Sequence, residues 1–273
     1  MKRRTSILLY LVGAMIGLGG ISAARAQGVL ELEGVPAVLG VGAGVLPDYQ
    51  GSNDYTWGVA PLFRYQFQGG ERYVSLVANE LSVNLLNNPT WRLGLIGNYT
   101  FGRKDVDDNA VDRMKDIDGS VYAGAFGEYA WVNPQERRNR FALHLDWQHD
   151  LGNTSDGWTS TLSARYFTPL SRAVDLYLGA MSTYASGNYM ETYFGVSPAN
   201  AFRSGLPVYS ADAGFKDVGG TVGGVMYLSK EWALSAGLQY RRLLSEAKDS
   251  PIVSDRGDAN QWIAGVGIAR LWW

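Results

Sequence analysis

Two histidines, His144 and His149, are the only side chains in this 273-residue chain that ordinarily titrate near neutral pH. His149 precedes Asp150, and a histidine beside a carboxylate could activate a nucleophile in a hydrolase. In a β-strand, however, successive side chains point to opposite faces, so His149 would face outward and Asp150 inward. We therefore expect no catalytic residue, and a hydrolase that uses His149 is kept as a second alternative.

Metal and cofactor chemistry has little support in the sequence. The chain has no cysteine, which excludes thiolate metal sites and cysteine nucleophiles. Six aspartates crowd one short segment, but it lacks the glycine and the closing glutamate of a calcium-binding EF-hand loop. We interpret it as a solvated acidic loop and expect no metal and no cofactor. Its aspartates are Asp105, Asp107, Asp108, Asp112, Asp116 and Asp118.

Polar and apolar residues alternate with a period of two along much of the chain, which predicts β-strands with one apolar and one polar face. In 141–148 every odd position is a large apolar residue, whereas His144, Asp146 and Gln148 occupy even positions. Such segments approach the roughly 9–11 residues that a tilted strand needs to cross a membrane. The clearest others are 57–67, 91–101 and 232–241, and weaker ones are 37–46, 120–131, 160–169, 174–184, 218–228 and 262–272.

A soluble β-sandwich or a lipocalin also alternates, because one face of its sheet packs against a core. The tryptophans distinguish these folds from a membrane barrel, whose strands carry aromatic side chains near both ends. Six tryptophans lie at or near the ends of alternating segments: Trp57, Trp91, Trp131, Trp147, Trp232 and Trp262. The sequence therefore predicts an all-β protein, an antiparallel transmembrane β-barrel.

The N-terminus has the features of a cleaved signal peptide. Basic residues within the first four positions precede the apolar segment 7–21, and an Ala-x-Ala motif ends at Ala26. The apolar segment is shorter than the ~20 residues of a membrane-spanning helix, which favours a signal peptide over an N-terminal anchor. We predict that residues 1–26 are removed before Gln27 and that residues 27–273 form the barrel.

The charge balance argues against nucleic acid as a partner. The predicted leader contains four of the 24 basic residues and no acidic residue, so the mature chain carries 20 basic against 26 acidic side chains. Binding to nucleic acid would need a basic surface that neutralises phosphates. The mature sequence also has no second apolar stretch long enough for a helical span, so a membrane location would require strands.

Connections between the predicted strands are alternately long and short. Outer-membrane barrels keep short turns in the periplasm and long loops outside, so both chain ends would lie in the periplasm and the strand number would be even. We therefore divide 73–86 near Asn79 and Glu80 into two short strands, which gives about 12 strands, with 10 as the alternative. The long connections are 102–119, 149–159, 185–217 and 245–260, and the short ones are 132–140, 170–173 and 229–231.

The polar faces of the predicted strands would line the inside of the barrel. Charges of both signs can pair across a narrow lumen, which removes the cost of isolated buried charge. Such residues could form a structural plug or line a polar path for small solutes. The lumen candidates are Arg64, Arg92, His144, Asp146, Arg165, Asp175, Gln239 and Arg241.

Several separated motifs resemble one protein family. The C-terminal third contains Tyr193-Phe-Gly-Val-Ser-Pro, then Ser204-Gly-Leu-Pro-Val-Tyr, then the segment 240–253 with the sequence Tyr-Arg-Arg-Leu-Leu-Ser-Glu-Ala-Lys-Asp-Ser-Pro-Ile-Val. Near the N-terminus stands Pro47-Asp-Tyr-Gln-Gly-Ser. Together these motifs resemble the MipA/OmpV family of outer-membrane proteins over essentially the whole mature chain. The chain departs from the family's usual C-terminal phenylalanine by ending at Trp273.

The resemblance implies a non-enzymatic protein in the outer membrane of a Gram-negative bacterium, surrounded by outer-membrane lipid and lipopolysaccharide. It implies a scaffold for peptidoglycan enzymes, which brings a membrane-bound lytic transglycosylase together with a bifunctional penicillin-binding protein. The polar lumen suggests an alternative, a narrow channel for small solutes or antibiotics. The candidates for partner contacts lie in one predicted periplasmic turn: Asn133, Pro134, Gln135, Glu136 and Arg137.

Overall fold

The chain forms a closed barrel of 12 antiparallel strands in the computed structural model, which describes Leu32 and residues 34–273. Each strand pairs with its neighbours in the sequence, and the first pairs with the last to close the barrel. The predicted all-β class and the count of 12 strands are therefore confirmed. The predicted signal peptide and its cleavage between Ala26 and Gln27 lie outside the described residues.

Ten strands contain 10–14 residues, whereas β3 and β4 contain five each. No helix in the described part of the chain is long and apolar enough to span a membrane. The strands are β1 (Ala37–Pro47), β2 (Tyr55–Gln66), β3 (Tyr73–Val77), β4 (Glu80–Asn84), β5 (Trp91–Thr100), β6 (Ser120–Val132), β7 (Arg140–Asp150), β8 (Trp158–Pro169), β9 (Val174–Ala185), β10 (Gly214–Tyr227), β11 (Trp232–Leu243) and β12 (Asn260–Trp272).

The connections differ at the two ends of the barrel. Short turns join the strands at one end, and the long connections lie at the other, which is the extracellular end in outer-membrane barrels. The long connections contain five short helices: α1 (Asn109–Asp112), α2 (Gly187–Phe194), α3 (Pro198–Ser204), α4 (Ser245–Asp249) and α5 (Pro251–Ser254).

The outer surface of the barrel is apolar and has an aromatic belt at each end. Trp57, Trp147 and Trp262 lie near the extracellular ends of their strands and are exposed. A second group of exposed tryptophans lies near the periplasmic ends: Trp91, Trp131, Trp232 and Trp272. Tryptophan favours the membrane–water interface, because its ring is apolar and its N–H can reach polar partners. The two belts therefore mark the borders of a membrane-spanning surface.

The hairpin of β3 and β4 is much shorter than its neighbours. Ala78 and Asn79 join the two strands, so the predicted division of 73–86 is confirmed. The tip of the hairpin is tied on both sides, by the N–H of Ala78 donating to the Pro61 carbonyl at 2.9 Å and the N–H of Tyr99 donating to the Asn79 carbonyl at 3.0 Å. Because β2 and β5 continue beyond these bonds, the barrel wall is lower at this hairpin.

Strand β10 begins earlier than predicted, at Gly214 and not near Val218. A β-bulge between Phe215 and Asp217 shifts its register against β9. The bulge leaves both Lys216 and Asp217 buried, so two consecutive charged residues face inward. This interrupts the alternation of polar and apolar positions, which is why the sequence pattern missed the start of the strand.

Three long connections fold together over the extracellular end of the barrel. We call them the dome: 101–119, 186–213 and 244–259. One apolar cluster of the dome packs Tyr189 and Phe194 together with Tyr122, which faces inward on β6, and Leu243, which faces inward on β11. These two strands lie on different sides of the barrel. The dome therefore crosses the extracellular mouth.

A second apolar cluster occupies the periplasmic half of the lumen. It combines residues that face inward from β1, β2, β3, β10, β11 and β12 with two residues that precede β1. All of its members are buried: Leu32, Val35, Val38, Leu62, Val77, Val225, Ala233, Ala269 and Leu271. The lumen is thus filled by side chains near the periplasmic end on this side of the barrel.

Candidate functional site

Most of the predicted lumen residues lie inside the barrel. Seven of the eight are buried: Arg64, Arg92, His144, Asp146, Arg165, Gln239 and Arg241. Asp175 is half-buried at the periplasmic end of β9, where it accepts hydrogen bonds from the Tyr227 hydroxyl at 2.8 Å and from Nη1 of Arg138 at 3.2 Å. Their roles in function remain predictions.

Glu128, which faces inward on β6, holds the largest group of lumen charges together. Its Oε1 accepts a hydrogen bond from Nη1 of Arg92 at 2.6 Å. Its Oε2 contacts both Nη2 of Arg165 and Nδ1 of His144, the latter at 3.3 Å. Two guanidinium groups and an imidazole thus surround one buried carboxylate. Glu128 is not among the lumen residues predicted from the sequence, although its position in phase with Tyr122 and Phe126 on β6 could have placed it there.

His144 lies between two carboxylates inside the barrel. In addition to Glu128, Oδ2 of Asp146 is 3.6 Å from its Nε2. The imidazole stacks on the Phe126 ring, with 5.2 Å between the ring centroids. Oδ1 of Asp146 accepts a hydrogen bond from Nε2 of Gln148 at 3.2 Å. These contacts hold the imidazole on the wall of the lumen.

A separate charged group lies at the extracellular end of β10 and β11. Nζ of Lys216 is 2.7 Å from Oδ2 of Asp217, and Nη1 of Arg241 is 3.9 Å from the same oxygen. Lys216 also donates to Oε1 of Gln50 at 3.1 Å, and Gln50 bonds to the hydroxyl of Tyr189 in the dome. This group therefore links the rim of the barrel to the dome.

The dome contains an ion pair between distant parts of the chain. Asp108 caps α1, accepting from the N–H groups of Ala110 and Val111 at 2.9 Å each, and its Oδ2 is 2.7 Å from Nη2 of Arg256. Burial alone would raise the pKa of Asp108, but the hydrogen bonds from Arg256, Val111 and Ala110 hold it below its ordinary value. The prediction of a solvated acidic loop is therefore wrong at Asp108, although the other five aspartates of that segment are exposed.

The periplasmic turns are joined by two adjacent arginines. Nη1 of Arg138 bonds to Oδ1 of Asp175 at 3.2 Å and to the carbonyl of Ser171 at 3.3 Å. Arg138 also binds Glu136 within its own turn, which lowers the pKa of that carboxyl. Nη2 of Arg137 lies 3.8 Å from Oε1 of Glu71. The turn 133–139 is thus connected to the turns 170–173 and 67–72.

A small polar cavity of about 100 Å³ opens beside these turns at the periplasmic end of the lumen. Four arginines and one glutamate contribute its charged side chains, so the local charge is positive. Three of the arginines also lie over aromatic rings. Arg64 and Arg92 are 4.7 and 5.9 Å from the Tyr73 centroid, and Arg140 is 4.0 Å from the Phe167 centroid. The charged residues of the cavity are Arg64, Glu71, Arg92, Arg137 and Arg140.

His149 and Asp150 do not form a catalytic pair. Nδ1 of His149 is 2.8 Å from the carbonyl of Asp150, not from its carboxylate. That carboxylate is bound by the hydroxyls of Ser120 and Ser155 and by the N–H of Gly152. Within the described residues, no group of three or more histidine, aspartate or glutamate side chains is placed to hold a metal ion.

Sequence comparison finds relatives over most of the chain. The family model described as MltA-interacting protein MipA matches residues 39–272. YiaT of Escherichia coli (strain K12) is 28% identical over 236 residues, which cover 84% of this chain and 89% of YiaT. Outer membrane protein Omp26La of Vibrio anguillarum is 31% identical over 129 residues, which cover 45% of each chain.

Structure comparison finds other membrane barrels. The NanC porin aligns with 86% of this chain and 98% of its own, at 8% identity and a TM-score of 0.47. An outer membrane channel from Pseudomonas putida F1 aligns with 89% of this chain and 97% of its own, at 12% identity and a TM-score of 0.46.

Proposed function

This chain belongs to the MipA family of outer-membrane proteins, and from that premise we propose that it is a non-enzymatic scaffold whose periplasmic face binds a lytic transglycosylase. The name of the family model states an interaction with MltA, which supports a partner of this kind. A bifunctional penicillin-binding protein as a second partner is the further prediction from the family resemblance.

The observation that carries this proposal is the connection between the periplasmic turns. Arg138 ties its turn to Ser171 and Asp175 on one side, and Arg137 approaches Glu71 on the other. The predicted contact turn alone is small, whereas a stable interface buries roughly 800 Å² on each partner. Joined turns offer a larger surface that is already ordered, so less conformational entropy is lost when a partner binds.

The closed extracellular end supports a scaffold over the alternative of a channel. The dome crosses that mouth, and the charged residues of the lumen pair with one another around Glu128. A conducting barrel would need a continuous path for water through the dome and past the paired charges of the lumen. Planar-bilayer recordings of the purified protein should show no unitary conductance steps. Regular steps whose size changes in a lumen variant such as Arg165→Ala would favour the channel.

The contacts of His149 support a non-enzymatic protein over a hydrolase. Its neighbouring carboxylate, Asp150, accepts hydrogen bonds from the hydroxyl of Ser120 on β6 and from the hydroxyl and N–H of Ser155 in the loop that follows β7. The variant His149→Ala should therefore leave the phenotype of the cell and the composition of its outer membrane unchanged. Loss of a lipid- or peptide-hydrolysing activity in that variant would contradict the proposal.

Site-specific photo-crosslinking tests the scaffold directly. A benzoylphenylalanine replaces Gln135 in the periplasmic turn, and a matched one replaces Phe202, which is 93% exposed on the dome. After irradiation of intact cells, mass spectrometry identifies the crosslinked proteins. We expect a lytic transglycosylase on Gln135 and none on Phe202.

A second variant separates a specific surface from chance proximity. Arg138→Ala removes the link to the neighbouring turn but leaves position 135 unchanged, and it should reduce the transglycosylase crosslink several-fold. Crosslinks from Gln135 that contain only assembly proteins and abundant barrels would refute the scaffold. An equal transglycosylase signal from Phe202 would refute it as well, since the two positions lie on opposite sides of the membrane.

A further inference from the structure

The inner face of the barrel is chemically asymmetric. Charged side chains line β5–β8, whereas a band of glycines crosses the opposite wall. Gly44 on β1 pairs with Gly265 on β12, which pairs with Gly237 on β11, which pairs with Gly223 on β10. Four consecutive strands of the wall thus carry no side chain along one row of paired residues, and the lumen is wider beside that row.

A cavity of about 190 Å³ occupies this space. Its lining is almost entirely apolar. The main polar side chains in the lining are Gln239 and Thr221, and Nε2 of Gln239 donates to Oγ1 of Thr221 at 3.1 Å. Leu62, a member of the periplasmic apolar cluster, lines its lower part, and Leu46 lines it near the dome. The cavity is therefore bounded along the barrel axis by buried leucines.

The barrel wall has an opening beside this cavity. β3 pairs with β2 only from Leu62 to Gln66, and within the described residues the last backbone bond on that edge joins Ala78 to Pro61. Beyond it, no strand of the described part of the chain lies beside Tyr55–Ala60 of β2 on that side. Phe101, which directly follows β5, stands across the opening.

The cavity reaches this opening. Gly58 and Ala60 on the unpaired part of β2, Ala78 at the tip of the hairpin and Phe101 all contribute to its lining. The opening lies at the level of the extracellular aromatic belt, since the exposed Tyr99 packs edge-on against Phe101, with 5.0 Å between the ring centroids. Irregular backbone at membrane depth is tolerated where it lines a cavity. The opening thus faces the outer leaflet.

We propose that this cavity binds a small hydrocarbon group, which enters sideways from the outer leaflet through the opening above the β3–β4 hairpin. An apolar cavity of about 150 Å³ is known to remain dry and to bind benzene, so this cavity suits a single aromatic ring or a short alkyl segment. The group carries at most one polar substituent, because Thr221 and Gln239 supply the main polar contact of the lining.

A small hydrocarbon group has two sources in a membrane: a free hydrocarbon dissolved in the leaflet, or the end of a lipid acyl chain. Both enter by the same opening and occupy the same glycine-lined space. None of the lining residues belongs to the periplasmic turns, so the ligand site is independent of the proposed scaffold and its test does not depend on a partner protein.

Substitution of one glycine of the band provides the test. A Cβ added at Gly237 meets nothing closer than the Val222 carbonyl oxygen at 3.7 Å, so Gly237→Leu fits the backbone and fills the cavity. Gly97→Leu is the matched control, since its Cβ has a similar nearest contact of 3.6 Å to the Tyr122 carbonyl oxygen and lies on the lipid side of β5. Ala60→Phe obstructs the opening from a different strand.

Fluorine NMR of 4-fluorotoluene with the protein in lipid nanodiscs measures occupancy by a free hydrocarbon, and native mass spectrometry measures retained lipid. We expect saturable fluorotoluene binding to the unaltered protein and to Gly97→Leu, at least tenfold weaker in Gly237→Leu and in Ala60→Phe. If an acyl chain is the occupant, the unaltered protein and the control retain a lipid that both obstructing variants lose. Equal partitioning of fluorotoluene and equal lipid retention in all four proteins would overturn the proposal.

Discussion

Glu128 and His144 stand directly opposite each other on β6 and β7, with 3.3 Å between Oε2 of the glutamate and Nδ1 of the histidine. The same carboxylate also contacts Arg92 and Arg165 from two further strands. One side chain therefore connects β5, β6, β7 and β8 inside the lumen. Because the connection is buried, its loss should lower the stability of the whole barrel.

Glu128→Gln should lower the free energy of unfolding by about 3–5 kcal/mol, because it removes the negative charge that faces buried cationic groups. Urea unfolding in lipid vesicles, followed by tryptophan fluorescence, measures the change. The control is Glu136→Gln in the exposed periplasmic turn, where a surface ion pair adds little to stability because water and salt screen it. Similar losses of unfolding free energy in the two variants would show that burial of the charged group does not determine its contribution to stability.

Leu145→Arg should destabilise the barrel by about 2–4 kcal/mol, because this exposed side chain lies at the middle of β7, where arginine is costly on the lipid-facing surface. Val121 also faces outward but lies at the extracellular end of β6, so Val121→Arg should cost only about 0–1 kcal/mol. Equilibrium unfolding of both variants in the same vesicles measures the difference. A cost independent of depth would contradict the placement of the membrane surface.

Asp108→Asn should loosen the dome while leaving the barrel intact, because it removes the ion pair with Arg256, whereas asparagine can still cap α1 through Oδ1. Trypsin added to intact cells should then cleave within 101–119 at least several-fold faster than in the unaltered protein. Asp118→Asn removes an exposed ion pair with Lys104 and is the matched control. Equal cleavage of the two variants would argue that the dome does not depend on Asp108.

The pKa of Asp108 also predicts how the dome responds to acid. A carboxyl whose pKa is lower in the folded state adds stability above its ordinary value, here 3.8, and that stability is lost as the pH falls through the folded value. Hydrogen exchange of 101–119, corrected for the intrinsic rate, should stay constant from neutral pH to about pH 5 and lose protection below pH 3.8. Asp108→Asn should show no such loss, and an identical acid response in that variant would refute this assignment.

The sequence predicted the strands well where apolar side chains meet lipid. Alternation in β5, β7 and β11 is nearly unbroken, because one face contacts a uniform apolar solvent and the other contacts polar groups. The even strand number required by both chain ends also located the hairpin tip between Val77 and Glu80. Both the alternation and the strand number can be read along the chain, so they do not depend on knowing which distant residues come into contact.

Features that depend on distant contacts could not be predicted. Asp108 looks like any other loop aspartate until Arg256, 148 positions away, lies beside it. The phase of Glu128 on β6 could have placed it in the lumen, but the groups that surround it come from three other strands and could not be predicted. Lys216 and Asp217 were hidden by the bulge in β10. In each case the closed barrel, and not the local sequence pattern, determines which residues come into contact.

The dome determines what can be recognised at the cell surface. Its three connections are separated by whole hairpins in the chain, yet Asp108 pairs with Arg256, and Arg113 donates to the carbonyls of Arg203 and Ser204. An antibody or a bacteriophage that approaches from outside therefore meets a discontinuous epitope that exists only after the barrel has closed. A synthetic peptide that copies one connection reproduces only part of that surface, so sera raised against it should bind the denatured chain better than living cells.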